Sequence, residues 1–234
     1  MERWLFDEFA DAYDRWFMQN ENVLLSEVLL VRRALQDCGE TLSVGCGSGL
    51  FEQILRSRFA LDIRNGAEPS EAMARIAGQR GMQVRIAPAE QLMFPDGAFD
   101  TVLMNGVPSY LVELAPAFRE ARRVLKQGGH LVVLDVGAEG SYGLLYRLAG
   151  HLGSWDHPQL QGCKPEVPYP LELAAHANWR TTPAKIEVLL RLGFGKPETF
   201  QTLTRHPAYS NKSVEEPCDG FDRGDYVAIR AEKV

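Results

Sequence analysis

Cysteine is scarce in this 234-residue chain, which holds only Cys38, Cys46, Cys163 and Cys218. No two of them form a C-x-x-C pair, so neither a zinc ribbon nor a thiol redox motif is on offer. Positive charge is not in excess: 25 Lys and Arg stand against 31 Asp and Glu, a net charge of −6. A general nucleic-acid binder usually carries a basic stripe, so the balance speaks against nucleic acid as a partner. No apolar run approaches the roughly 20 residues that cross a bilayer, and no membrane span is expected. The first residues, Met1-Glu2-Arg3-Trp4, do not read as a signal peptide. A cytoplasmic setting with reduced thiols is the expectation. Repeats and low-complexity tracts are absent too. The remaining composition, 45% hydrophobic and 24% charged, is that of a globular protein. Its length is enough to bury a substantial core.

What is present is concentrated in Thr41-Leu-Ser-Val-Gly-Cys-Gly-Ser-Gly-Leu50. An apolar run ends in three spaced glycines, and a helical pattern through Phe51, Ile54 and Leu55 follows at once. This reads as strand, tight turn and helix N-terminus. Glycine lets the backbone turn sharply and lets a ligand approach the main chain. The helix N-terminus adds free N–H donors and the positive end of a dipole. In open α/β sheets such turns hold ligands at the carboxyl ends of strands. The spacing is not the dinucleotide G-x-G-x-x-G, because Leu50 stands where the third glycine would be. No Gly-Lys-Ser/Thr follows, so a phosphate-cradling P-loop is excluded as well.

Further motifs follow in order. A second apolar stretch closes with Gly66-Ala-Glu68-Pro69-Ser-Glu-Ala-Met73. Ala89-Glu90 opens the run to Asp100, which leads into an apolar segment ending at Asn105-Gly106. Val124-Leu-Lys-Gln-Gly-Gly-His130 then precedes another apolar strand through Asp135. Together, residues 41–136 resemble the class I S-adenosylmethionine-dependent methyltransferases, of the small-molecule, type 11-like kind. The resemblance implies a Rossmann-like α/β fold. Its seven-stranded sheet would be mostly parallel, with an antiparallel last strand and helices on both faces. It implies S-adenosyl-L-methionine as cofactor. The cofactor site carried over is Gly45, Cys46, Gly47 and Gly49 in the glycine loop, then Glu68, Pro69 and Met73. Ala89 and Glu90 would lie near the adenine, and Asn105 and Gly106 at the end of the fourth strand. Glu68 would accept from both ribose hydroxyls, as a carboxylate can. Three positions depart from the family pattern: Ser43 replaces an acidic residue, Pro88 replaces an aspartate in the adenine loop, and Gln127 stands where proline is common.

The pattern reading agrees with that fold. Apolar strands near 41–45, 62–67, 83–87, 99–105 and 130–136 alternate with helices near 49–58, 70–79 and 113–126, the signature of a parallel sheet. A helix near 183–193 precedes strands near 197–204 and 225–230. Ahead of the core, Phe6, Phe9, Ala10, Tyr13 and Phe17 recur at helical spacing over 4–18, and a second helix is expected over 21–36. The chain thus reads as one domain, 1–234, with N-terminal lid helices over about 1–38. Tyr13 is placed beside the methionine end of the cofactor by resemblance. Residues 137–182 form an aromatic insertion expected to fold over the strand ends as a substrate lid. Tyr146, Trp155 and Trp179 are its candidate acceptor contacts, since small-ligand pockets are largely apolar and aromatic.

No fixed catalytic residue is readable. The cofactor supplies the electrophile, and the protein orients and desolvates. His157, His176 and His206 are the histidines considered as a base. His157, Cys163 and His176 have spacings that fit no short zinc pattern, so no metal is expected. Asn105-Gly106-Val-Pro-Ser-Tyr110 replaces the N-P-P-Y sequence of amino-directed nucleic-acid methyltransferases. The expectation is methyl transfer to a small-molecule acceptor. A non-catalytic cofactor-binding protein, or another reaction of the same cofactor, stays open at this stage.

Overall fold

The structure is a computed structural model and describes residues 5–234. Two helices lead, α1 (Leu5–Gln19) and α2 (Glu21–Ala34). The alternating core follows: β1 (Thr41–Val44), α3 (Leu50–Phe59), β2 (Asn65–Glu68), α4 (Glu71–Gln79), β3 (Gln83–Ile86), β4 (Phe99–Asn105), α5 (Leu114–Val124) and β5 (Leu125–Val136). Then come α6 (Ser141–Leu152), α7 (Leu171–Ala175), α8 (Thr182–Arg191), β6 (Glu198–Thr202), β7 (Cys218–Asp219) and β8 (Tyr226–Glu232).

The sheet runs β3-β2-β1-β4-β5-β8-β6-β7. Strands β1 to β5 pair in parallel, and β8 inserts antiparallel between β5 and β6. The order reverses beside β1, so the carboxyl ends of β1 and β4 open a crevice where ligands bind in such sheets. Among the described residues the sheet has eight strands, not the seven expected. The extra one is the two-residue β7, which pairs Cys218 and Asp219 with Gln201 and Phe200 on the free edge of β6. A strand that short carries no alternation to read. Strand β5 also starts earlier than expected, at Leu125. Leu125 pairs with Phe99, and the register then shifts before Thr101 meets His130. The Gly128-Gly129 turn, with Gly128 at φ 76°, absorbs the extra residues.

Alternation of side chains across the sheet builds two cores. Leu103, Val132, Leu134 and Ala228 face one side, packed with α2, α3 and α6. Val102, Met104, Leu131, Val133 and Ile229 face the other, packed with α5 and α8. Helices therefore cover both faces. The 137–182 segment is not a loop laid over a finished domain. Tyr142, Tyr146 and Ala149 of α6 are buried in the first core, as are Leu160, Tyr169 and Leu173.

Candidate active site

The glycine loop leaves β1 with Gly45, Gly47 and Gly49 all at positive φ (62°, 54° and 71°). Only glycine takes this course without strain. A Cβ at Gly45 would come within 2.5 Å of Val107, whereas one at Gly47 would meet no protein atom within 4 Å and would project into open space. That space is a cavity of about 330 Å³ at the ends of β1, β2 and β4. Gly45, Gly47, Glu68, Pro69 and Met73 form one wall, and Ala89, Glu90, Asn105, Gly106 and Tyr13 form others. Phe6, Pro88, Val107, Tyr110, His176 and Asn178 add to the lining.

Three expected residues lie elsewhere. Cys46 turns beneath the loop, with its Sγ 2.8 Å from where a Cβ on Gly66 would stand. Gly49 caps α3 and packs against Met82 and Ala77. Trp155 is spent on packing: its ring meets Tyr146 at 5.8 Å and its Nε1 donates to the Tyr169 carbonyl at 2.9 Å.

Glu68 is 5% exposed at the end of β2. Its Oε2 accepts from the Gly47 N–H and its Oε1 from the Ser70 N–H, both at 2.9 Å. Burial pushes its carboxyl up to about 7, against the pull of those two bonds. Each oxygen keeps a free lone pair. The departure at Ser43 also has an answer. Ser43 Oγ donates to Glu52 Oε1 at 2.6 Å, so a carboxylate does lie beneath the loop, supplied from α3.

A second, smaller cavity of about 70 Å³ adjoins the first and shares Tyr13, Gly106 and Tyr110 with it. Its walls are aromatic: Trp16 and Phe17 from α1, Tyr146 from α6, then Tyr169, Trp179 and Tyr226. Tyr146 and Trp179 stack at 5.0 Å, tilted by 37°. Asp135 and Glu27 are the carboxylates of this wall. Asp135 Oδ2 lies 2.7 Å from the buried Lys185 ammonium, and its Oδ1 accepts from Ser109 Oγ at 2.7 Å. Glu27, from the middle of α2, was not among the expected site residues.

Helix α1 closes over both cavities and is bolted at each end. Asp7 accepts from Ser70 Oγ at 2.6 Å. Asp14 accepts from Ser48 Oγ at 2.5 Å and pairs with Arg80 at 2.6 Å, while Arg80 also donates to the Ser48 carbonyl. Trp16 Nε1 donates to the Val167 carbonyl, which ties α1 to the 137–182 segment. The segment's far end is stitched to the turn after β4, where Arg180 donates to the carbonyls of Pro108, Leu111 and Val112.

The three histidines do not converge. His157 and His206 each accept a backbone N–H at the start of a short 3-10 turn. His176 lines the larger cavity from its exposed rim. Among the described residues, no three His, Cys, Asp or Glu side chains gather as a metal site. No helix among them is long and apolar enough to cross a membrane.

This combination of a glycine loop after β1, a buried acid ending β2 and an antiparallel strand beside β5 is the arrangement of a sulfonium-cofactor methyltransferase. Residues 42–133 match the methyltransferase-domain family. An uncharacterised protein of Methanocaldococcus jannaschii is 30% identical over 230 residues, covering 98% of this chain and 99% of that one. A demethylmenaquinone methyltransferase of Thermus thermophilus is 32% identical over 158 residues, or 62% of this chain and 70% of that one. A solved structure from Thermotoga maritima, described as a S-adenosylmethionine-dependent methyltransferase and possible histamine N-methyltransferase, superposes with a TM-score of 0.83. It is 30% identical and covers 98% of both chains. The chain belongs to the S-adenosylmethionine-dependent methyltransferases, and S-adenosylmethionine is its cofactor. The larger cavity fits that group: a glycine wall a Cβ would fill, and a buried carboxylate with acceptor capacity to spare.

Proposed function

We propose that this enzyme methylates a small molecule bound in the aromatic inner cavity, from a cofactor held in the larger one. The observation that carries the reading is their junction. Tyr13, Gly106 and Tyr110 line both cavities, so a donor and an acceptor placed in them would meet across one short boundary. The inner volume suits a small group and not a folded macromolecule.

In this reading Glu68 accepts from the ribose hydroxyls, and the glycine loop gives the ligand close access to the main chain. The cofactor supplies an activated methyl on sulfur. The chain's own contribution is orientation and exclusion of water by α1 and the 137–182 segment. Two of the relatives, the demethylmenaquinone methyltransferase and the possible histamine N-methyltransferase, carry small-molecule acceptors in their names, which supports the same acceptor class. The acidic net charge also argues against nucleic acid.

Incubation with S-adenosylmethionine and a metabolite panel tests it. S-adenosylhomocysteine should form with a product one methylene heavier. Replacing Trp179 by Leu should weaken acceptor KM and leave cofactor affinity within about twofold, since that ring lines only the inner cavity. Methylation confined to protein or nucleic-acid acceptors would overturn the reading.

A further inference from the structure

Glu27 lies in the middle of α2 and is 6% exposed. It lines the inner cavity, and its carboxyl accepts no hydrogen bond among the described residues; burial alone perturbs it. An isolated buried carboxylate is costly unless something pairs with it. The neighbouring acids already have partners. Asp135 of β5 has Lys185 of α8, Glu52 of α3 has Ser43, Glu215 holds Thr204, and Asp225 accepts the Tyr142 N–H. Tyr13 of α1, Tyr146 of α6 and Tyr226 of β8 line the cavity with Glu27, and no Lys or Arg lines it; the Glu27 charge helps to push up their hydroxyls and that of the nearby Tyr142. Arg230 of β8 reaches Gln36 and Glu198 instead. The cavity therefore presents one uncompensated acid among aromatic faces. Ring faces are negative and attract cations, more strongly where water is excluded. Acid and rings select the same ligand.

We propose that the methyl acceptor is a small basic amine, its cationic nitrogen held between the Glu27 carboxylate and the aromatic walls of the inner cavity. This rests on the methyl-transfer reading above and names the substrate class for it. Before transfer the nitrogen gives one proton to Glu27. The freed lone pair forms the N–CH3 bond as the S–CH3 bond of the sulfonium breaks, and the positive charge ends on the methylated nitrogen. Burial pushes the Glu27 carboxyl up to about 8. A bound cation supplies a partner and favours the ionised form.

The probes are ethylammonium and its neutral isostere ethanol, titrated into the whole protein with S-adenosylhomocysteine present. Tryptophan fluorescence reports on binding, since Trp16 and Trp179 line the cavity. Ethylammonium should bind at least about tenfold more tightly than ethanol at pH 8.5, an effect of 1.4 kcal/mol or more. Its affinity should rise about tenfold or more from pH 6.5 to 8.5 as Glu27 ionises, while ethylammonium itself stays charged. Glu27→Gln should abolish both the preference and the pH dependence while S-adenosylhomocysteine affinity holds. Trp179→Leu should weaken ethylammonium about fivefold through the lost ring face. Equal binding of ethanol, or full ethylammonium binding in Glu27→Gln, would overturn the proposal. The two readings fail separately. Turnover of neutral acceptors alone would end the amine reading and keep methyl transfer. Ethylammonium binding without turnover of any amine or other small molecule would end methyl transfer and keep the cation site.

Discussion

Glu68 and Glu27 are both buried, and both titrate above the usual carboxylate range, at about 7 and about 8. Their surroundings separate their roles. Glu68 is gripped by two backbone N–H groups, which fix its direction. In the proposed reading ribose hydroxyls donate to Glu68, which makes its ionised form the binding form. S-adenosylhomocysteine affinity should therefore fall on acidification below about pH 7, by up to about tenfold per unit. Glu68→Ala should bind at least about tenfold more weakly; Glu68→Gln, which keeps one acceptor oxygen, should lose less, and both should lose that pH dependence. Calorimetry from pH 5.5 to 8 checks this, and a parent affinity flat across the range would contradict it. For Glu27 the consequence is stability. Its folded value is raised above the unfolded 4.5, so the folded state holds the extra proton between them. Stability then drains as pH rises through about 4.5 to 8, at no more than about 1.4 kcal/mol per unit. Glu27→Gln should gain on the parent as pH rises. Thermal melts at pH 5.5 and 8.5 should show a wider gap at 8.5, and an equal gap would show that this carboxyl does not titrate in the fold. Glu68 was legible in the sequence because it sits in an ordered series of motifs. Glu27 belongs to no motif. Its one signal is a charge on the buried stripe of α2, four residues from both Val23 and Val31.

Helix α1 shows how an element acquires a role that its own pattern does not state. Phe6, Phe9, Tyr13 and Phe17 give its apolar face, and that much was readable at helical spacing. Its fastening depends on partners distant in sequence. Asp14 reaches Ser48 of the glycine loop and Arg80 at the end of α4. Such a half-buried pair is worth about 1 kcal/mol. Asp14→Ala should accordingly weaken cofactor binding about fivefold, chiefly through faster release. Stopped-flow displacement of S-adenosylhomocysteine measures this, and an unchanged release rate would mean that α1 does not gate the cavity. Helix α6 is the opposite case. Tyr142, Leu145, Tyr146 and Ala149 carry a helical period, yet the same rings also suit a flexible lid. Burial decides between them, because the rings of Tyr142 and Tyr146 sit in the core beside the sheet. The same burial explains Trp155, an aromatic in the lid segment that supports Tyr169 and does not line either cavity described.

At the scale of the molecule, the sheet order brings the two cavities together at the carboxyl ends of the strands. β1 and β2 end in the glycine loop and Glu68, while β4 and β5 end in Asn105-Gly106 and Asp135. The parallel core was readable because alternating apolar strands and helices leave few other arrangements. The meeting of α1, α2 and the 137–182 segment over that edge was only partly so, since it depends on long-range pairs such as Trp16 with Val167 and Tyr110 with Tyr169. The central claim is that the two cavities form one donor–acceptor site. A crystal structure with S-adenosylhomocysteine tests this most directly. The ribose hydroxyls should lie on the Glu68 carboxylate and the sulfur at the boundary formed by Tyr13, Gly106 and Tyr110, facing the aromatic cavity. A ribose held by another carboxylate, or a sulfur turned away from that boundary, would contradict the account.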